Sequence, residues 1–369
     1  MRPAFISIRS AAAFVLMLVV LLALPAVVGQ KGLPVREQAY SSIGWGSGPY
    51  PWIRNQIFEE TNDIDIAFVG SSHIFNAIYT PYVQEKLSEK LGRPAVVRTI
   101  AWGGAGYDGL YLITQDLLAH RRVRFLVFYD ESNTGSLRYS QSPMLFRFGE
   151  NRGMLDGLSV RERALFYFAS IIGMPRNLLC LLRPNLPAPF VTDKPNYWTV
   201  VANSPNPATQ LGCLSVRKGF TPDLAIAAAP FEALMPKTSA QPADALVYSP
   251  DTKSDFEFST KPIPDWQAHF AHLFARLLQK HGTQPVMLYL PVLADCPSHV
   301  IPERTFWPKI IDGITLLGIP PAKMFDGLTD AELHKIFGDP FHLNQNGQAY
   351  FTRLITPALF RLYEKPVNR

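Results

Sequence analysis

Apolar residues follow two regimes along this chain. Near the N-terminus, Ala11 to Val28 form one uncharged run with no polar face, preceded by Arg2 and Arg9. A helix that is apolar all round has no side for water, so the run predicts a membrane anchor or the core of a secretory signal. From Asp63 onward, short apolar runs alternate with stripes at helical spacing. Ile64 to Val69 predicts a strand running into Gly70. Thr80-Pro81 then opens a helix, with Thr as N-cap and Pro in the first turn. Val83, Leu87 and Leu91 recur every four residues, and Gly92 ends the helix. Val96 to Ile100 predicts a second strand, Leu110, Ile113, Leu117 and Leu118 a second helix, and Phe125 to Tyr129 a third strand. This order predicts an α/β fold: a doubly wound, mostly parallel sheet with helices on both faces.

The alternation lapses after residue 135. Residues 160–182 carry an apolar helical stretch, and residues 183–263 are rich in Pro, Ser, Ala and Thr with little periodicity. A segment that long without elements of its own is foreign to a compact core, so 136–263 is read as a large irregular insertion or subdomain. Regularity returns with Asp265 as an N-cap and a stripe of Trp266, Phe270, Leu273, Phe274, Leu277 and Leu278. Val286 to Leu290 predicts a strand. Trp307, Ile310, Ile311, Ile314 and Leu317 predict a helix face, and Ala322 to Phe325 a last strand. A final helix spans Gln345 to Tyr363, kinked at Pro357. The organisation expected is a signal peptide or anchor (1–29), the first part of the α/β domain (30–135), the insertion (136–263) and the second part of the domain (264–369).

Composition narrows the classes. The 369 residues are 47% hydrophobic and 18% charged, too apolar for a disordered chain. A net charge of +5 without a polybasic tract gives no reason to expect nucleic acid. The three cysteines, Cys180, Cys213 and Cys296, contain no CxxC pair, which excludes a zinc ribbon or thioredoxin-type site. Both readings of the N-terminal run place residues 30–369 outside the cytoplasm. Val27 and Gly29 are small enough for cleavage after Gly29. Arg2, Arg9 and the α-amino group favour an N-in orientation, while Lys31 and Arg36 oppose that bias. An oxidising compartment would permit a Cys180–Cys213 disulfide.

Two short blocks carry candidate chemistry. Gly70-Ser71-Ser72-His73 follows the first strand directly. Parallel sheets bind ligands at the C-terminal ends of their strands, and a serine there has backbone N–H groups nearby to hold an oxyanion. Asp339-Pro-Phe-His342 precedes the last helix. Three residues apart in a turn, the carboxylate can reach the histidine Nδ1, leaving Nε2 to take a proton from a serine. Each block alone is ordinary, since most such serines cap helices and Asp-x-x-His occurs in many polar loops. Their joint placement after the first strand and before the last helix is far more specific.

These blocks resemble the SGNH (GDSL-like) hydrolase superfamily. The layout is most similar to its membrane-anchored extracytoplasmic members, such as the alginate O-acetyltransferases and the D-alanyl-transfer protein of teichoic acid modification. Gly70-Ser71-Ser72 matches the first block with Ser72 as nucleophile, and Ser71 replaces the usual aspartate. Trp102-Gly103-Gly104-Ala105 matches the second, with Gly104 as oxyanion donor. Asn133 stands where the third block has an asparagine donor, though the usual Gly-x-Asn-Asp form is missing. Asp339 and His342 match the last block, and His342-Leu-Asn-Gln-Asn-Gly347 resembles the run into the final helix. The resemblance leaves the insertion unexplained. It implies a serine esterase or O-acyltransferase of the cell envelope that modifies a carbohydrate polymer through an acyl-enzyme. It calls for no metal and no cofactor. It also implies an activated acyl donor and a membrane-bound O-acyltransferase partner.

Competing readings rest on other residues. A non-catalytic envelope assembly or carbohydrate-binding protein could keep the same fold and use Phe190, Tyr197 and Trp198 for stacking. Gly104-Ala-Gly106-Tyr-Asp-Gly109 matches the GxGxxG dinucleotide fingerprint, with Asp130 at the end of the next strand. It does not follow the first strand of the chain, and an exported domain rarely meets such a cofactor. His73 is a helix-start or pocket residue, a second base or a substrate contact. His269 with His272, and Cys296 with His299, lack the partners of a metal site. The N-terminal run yields a direct test. A reporter active only after export, fused behind Arg369, is expected to be active, and activity confined to a cytoplasmic reporter would refute the compartment.

Overall fold

The computed structural model describes residues 7–30, 35–43, 48–130, 138–147, 149–182, 245–247, 250–258, 262–301 and 307–364, without the side chains of 25, 26, 28–30, 172–182, 246, 247 and 250–252. In chain order the helices and strands begin with α1 (Ile8–Gln30), α2 (Arg36–Ser41), α3 (Tyr50–Arg54), β1 (Ile64–Gly70), α4 (Ser72–Ala77) and α5 (Thr80–Leu91). They continue with β2 (Val97–Ala101), α6 (Tyr107–His120), β3 (Val123–Phe128), α7 (Ser142–Leu145), α8 (Val160–Leu182) and β4 (Leu246–Val247). The last are α9 (Asp265–His281), β5 (Gln284–Leu288), α10 (Trp307–Ile310), β6 (Thr315–Gly318), α11 (Pro321–Met324), α12 (Asp330–Leu333) and α13 (Gln345–Glu364). The chain divides into two compact units, residues 1–43 with 140–190, and residues 44–139 with 191–369.

The smaller unit is helical. In α1 every residue from Phe14 to Leu22 is 44–65% exposed, so among the described residues no face of this stretch is buried. Among the described residues, no helix is long and apolar enough to cross a membrane. The side chains from Pro25 onward, apart from Val27, lie outside that description. Phe146 packs edge-on against Phe166 and Tyr167 of α8, and Arg36 donates to Asn151 Oδ1 at 2.7 Å.

The larger unit is built on a six-stranded sheet in the order β2-β1-β3-β5-β6-β4. The first five strands are parallel, and β4 pairs antiparallel with β6 at the edge. Strand alternation explains how both faces are covered. Ile66 and Phe68 of β1, Phe125 and Val127 of β3, and Val286 and Leu288 of β5 join one buried cluster with Leu354, Ile355 and Leu359 of α13. The intervening residue Phe128 points the other way and meets Phe274 of α9 and Trp307 of α10 at ring separations of 5.1 and 4.9 Å. Chain order reverses at β1, where β2 lies on one side and β3 on the other. Such a switch leaves a crevice at the C-terminal ends of the strands.

Several sequence expectations shift in detail. Residues 307–317 do not form one helix: α10 stops at Ile310, and the chain enters β6 at Thr315. Leu317 is buried within β6 and Ile314 just before it, and a strand of four residues is too short to show a period of its own. The stretch Ala322 to Phe325 is helical from Pro321 to Met324 and is no strand. Tyr79 and Pro264, not Thr80 and Asp265, occupy the N-cap positions of α5 and α9. Pro357 lies inside α13, which runs on to Glu364. Within 136–263, helices occupy Ser142–Leu145 and Val160–Leu182, and residues 183–244 lie outside the described residues, with Phe190, Tyr197, Trp198 and Cys213 among them.

Tyr139 explains the glycines after β2. A Cβ on Gly106, which has φ +151°, would lie 2.4 Å from the Tyr139 nitrogen, and one on Gly109 would lie 2.6 Å from the Tyr139 ring. The Tyr139 N–H donates to both Asp108 carboxylate oxygens, and its hydroxyl bonds that of Tyr50. Gly106→Ala is therefore expected to lower stability by about 1–3 kcal/mol through overpacking and a left-handed backbone. Urea unfolding followed by circular dichroism checks this, and an unchanged midpoint would contradict it.

Candidate active site

The site begins where β1 ends. Ser71 is extended and N-caps α4, its Oγ accepting from the His73 N–H, so Ser72 becomes the first helical residue. Asn76 reaches back one turn and donates to the Ser72 carbonyl at 2.8 Å. The remaining parts come from the loop before α13. Phe337 and Leu343 form an antiparallel bridge, and Gly338 donates to the His342 carbonyl at 2.8 Å, so residues 339–341 form the tip of a short hairpin. Asp339 Oδ1 accepts the Phe341 and His342 N–H groups at 2.7 and 2.9 Å, an Asx-type turn that aims the carboxylate. Asn344, fully buried, donates to the Lys335 and Phe337 carbonyls and accepts from the N–H groups of Asn346 and Gly347. Gly347 is required by space, since a Cβ there would lie 2.3 Å from the Ile336 carbonyl oxygen.

These two segments converge. Ser72 Oγ lies 3.0 Å from His342 Nε2. His342 Nδ1 lies 2.8 and 2.9 Å from the two Asp339 carboxylate oxygens. The network assigns the proton of neutral His342 to Nδ1, where it is donated to the carboxylate, and leaves Nε2 to accept the Ser72 O–H. Both Ser72 and His342 are buried. Burial pushes the Asp339 carboxyl up, but the hydrogen bond and charge of His342 and the two backbone N–H groups outweigh it and hold the carboxyl below its ordinary range.

Gly104 sits exposed in the loop after β2 at φ +90°, a conformation suited to glycine. That loop runs beside the end of β1, where Trp102 donates to the Gly70 carbonyl at 3.1 Å. Asn133 lies outside the described residues. A second imidazole adjoins the first: the His73 ring stacks on His342 with centroids 4.5 Å apart. Its Nδ1 meets the Tyr129 hydroxyl at 2.8 Å, and that hydroxyl accepts from Ser71 Oγ at 3.0 Å. Burial, and then the neighbouring His342, push His73 down to about 3. Tyr129, Asn344 and Gln348 escaped the sequence reading. Tyr129 read as the last residue of a strand, Asn344 as one residue of the run from His342 to Gly347, and Gln348 as one residue of the final helix.

The other motifs resolve differently. Gly104, Gly106 and Gly109 all abut Tyr139, so a side chain of the protein itself takes the space these glycines open. Asp130 accepts from the Tyr107 hydroxyl. His269 meets Phe270 edge-on, and His272 is exposed. Cys296 is a free thiol, pushed up to about 12 by burial and the charge of Asp295. Cys213 and the Cys180 side chain lie outside the described residues.

No family model and no curated protein matches this chain. The loop geometry itself makes a prediction. Asn344→Ala deletes four hydrogen bonds that shape the turn carrying Asp339 and His342. It is expected to lower stability by about 1–3 kcal/mol, measured by urea unfolding. It should also slow the labelling of Ser72 by a fluorophosphonate probe under conditions where the variant remains folded.

Proposed function

We propose that this protein is a serine-dependent acyl-transfer enzyme of SGNH type that works outside the cytoplasm. The observation that carries the reading is the continuous hydrogen-bonded line Ser72–His342–Asp339, assembled from segments 270 residues apart. A serine hydroxyl is a weak nucleophile until an adjacent base takes its proton, and the base needs an orienting group behind it.

In the proposed reaction, Ser72 Oγ attacks the carbonyl carbon of an ester or thioester while its proton passes to His342 Nε2. The C–O or C–S bond to the leaving group then breaks, and His342 returns the proton to that group. Asp339 holds the ring in its tautomer and stabilises the imidazolium. The Ser72 and Gly104 N–H groups, with Asn133 as a third candidate donor, bind the oxyanion. A hydroxyl of a carbohydrate polymer, or water, then attacks the acyl carbonyl while its proton passes to His342 Nε2; the acyl–Oγ bond breaks, and His342 returns the proton to Ser72 Oγ, which completes transfer or hydrolysis. The uncovered apolar surface of α1 supports attachment to the cytoplasmic membrane through residues 11–28. The acyl donor would then be supplied by a membrane-bound O-acyltransferase. Tyr139 filling the glycine-lined space favours acyl transfer over dinucleotide binding.

The test is turnover of p-nitrophenyl acetate by the full-length chain. Ser72→Ala and His342→Ala should each lower the rate by about 10⁴-fold or more, and the double variant should be little worse than either, because groups acting as a unit are not additive. Asp339→Asn should cost about 10²–10⁴-fold through the wrong tautomer. Ser72→Ala with unchanged turnover and no Ser72 labelling would instead favour a non-catalytic carbohydrate-binding or assembly role.

A further inference from the structure

Two imidazoles lie face to face in this site, and their hydrogen-bond partners differ in kind. His342 is backed by a carboxylate, His73 by a phenol. Ser71 Oγ donates to the Tyr129 hydroxyl oxygen at 3.0 Å, accepts from the His73 N–H and lies 3.4 Å from His73 Nδ1. With its oxygen accepting from Ser71, the Tyr129 hydroxyl is assigned as the donor in the 2.8 Å contact with His73 Nδ1. Nδ1 acts as acceptor, and the ring is the neutral tautomer with its proton on Nε2.

We infer that His73 is a positioning residue: a neutral ring, held by the Ser71–Tyr129 hydrogen-bond chain, that stacks on His342 and keeps the Nε2 of that base aimed at Ser72. The inference rests on the acyl-transfer reading. The ring separation of 4.5 Å and interplanar angle of 26° leave little room for His342 to tilt away from Asp339 and Ser72. Neutrality matters as much as shape. When His342 takes the serine proton it becomes a cation, and a second cation stacked on it would oppose that step. Among the described residues, the titratable groups facing His73 are His342 and Asp339 from the hairpin and Tyr129 from the end of β3. Burial and His342 disfavour a charge on His73 more strongly than Asp339 favours it. The phenol adds to this by donating a proton that only an unprotonated Nδ1 can accept. His73 thus stays out of proton transfer because its partner is neutral, whereas the carboxylate of Asp339 orients His342 toward Ser72.

The experiment combines kinetics with ring nitrogen spectroscopy on the full chain. With p-nitrophenyl acetate, His73→Phe keeps a stacked ring and should stay within about threefold of the parent, while His73→Ala should lose about 10–100-fold in kcat with little change in KM. Tyr129→Phe removes the donor to Nδ1, so His73 becomes easier to protonate. The pH profile should then gain a second ionisation on its acid side, and adding His73→Phe to Tyr129→Phe should remove it. A merely structural role for Tyr129 would lower the rate without that added step. In ¹⁵N-histidine spectra of the parent, His73 should remain the neutral Nε2–H tautomer from pH 7 down to about 4, and Tyr129→Phe should shift its titration upward. A His73 that titrates normally in the parent, or a folded His73→Phe variant that is inactive, overturns the inference. Absence of any Ser72-dependent turnover overturns the acyl-transfer reading, and the spectra still decide whether Tyr129 holds His73 neutral.

Discussion

Gln348 gives its side-chain N–H groups to the carbonyls of Phe75 and Ile78, at 2.9 and 3.0 Å, where α4 ends. Its own helix begins three residues after His342 and continues as α13 across one face of the sheet. One turn further on, Thr352 accepts the Tyr79 N–H and donates to the Ala77 carbonyl. These bonds satisfy the open C-terminal end of the short helix that starts with Ser72, using the helix that follows His342. Ser72 and His342 are therefore set by one buried polar seam, and every other part of the site depends on that seam holding register. A helix as short as α4 has too few internal bonds to be stable by itself, so tertiary ties of this kind must hold it.

The sheet explains why the seam lies where it does. β1 is flanked by β2 and β3, and its last residue opens into the crevice left by the reversal of chain order. Ser71 and Ser72 leave the end of β1, Tyr129 the end of β3, and Gly104 the loop after β2. The side chains of Ile66, Phe68, Phe125 and Val127 face α13, and two-residue alternation places Tyr129 on that same face. The phenol therefore meets the His73 ring because of strand parity. A one-residue slip of β3 would turn it to the opposite side.

This also marks what the sequence could reveal. Ser72, Asp339 and His342 were legible because each sits at a punctuated boundary, a strand end or a helix start, where few residue types serve. The strands β1, β3 and β5 were legible from the apolar runs Ile66–Val69, Phe125–Phe128 and Val286–Leu288, as expected of a parallel sheet covered on both faces, and β2 from its place between two helical stripes. β6 was not, because Trp307, Ile310, Ile311, Ile314 and Leu317 happen to fall at helical spacing while Gly313 turns the chain at φ +68° between helix and strand. β4 is two residues long and is defined only by its partner. Tyr129, Asn344 and Gln348 carry no local signature. Their roles arise from the partners they meet in the fold, and across the separation of 273 positions between Gln348 and Phe75 no periodicity joins the two.

The serine at position 71 departs from the aspartate usual in the family this chain resembles, and the site gives that departure a physical meaning. A serine hydroxyl can accept from the His73 N–H and donate to Tyr129 at once, which passes the phenol proton on to His73. An ionised aspartate could cap α4 equally well, but it has no proton to give. The phenol would then donate to the carboxylate, and His73 would face an anion in place of a donor. A nearby anion favours imidazolium, and an imidazolium stacked on His342 would oppose the charge that the proposed reaction places on His342. A neutral residue at 71 is thus coupled to a histidine at 73: the uncharged cap keeps the second imidazole uncharged, and among the described residues the carboxylate hydrogen-bonded to the pair is Asp339, behind His342.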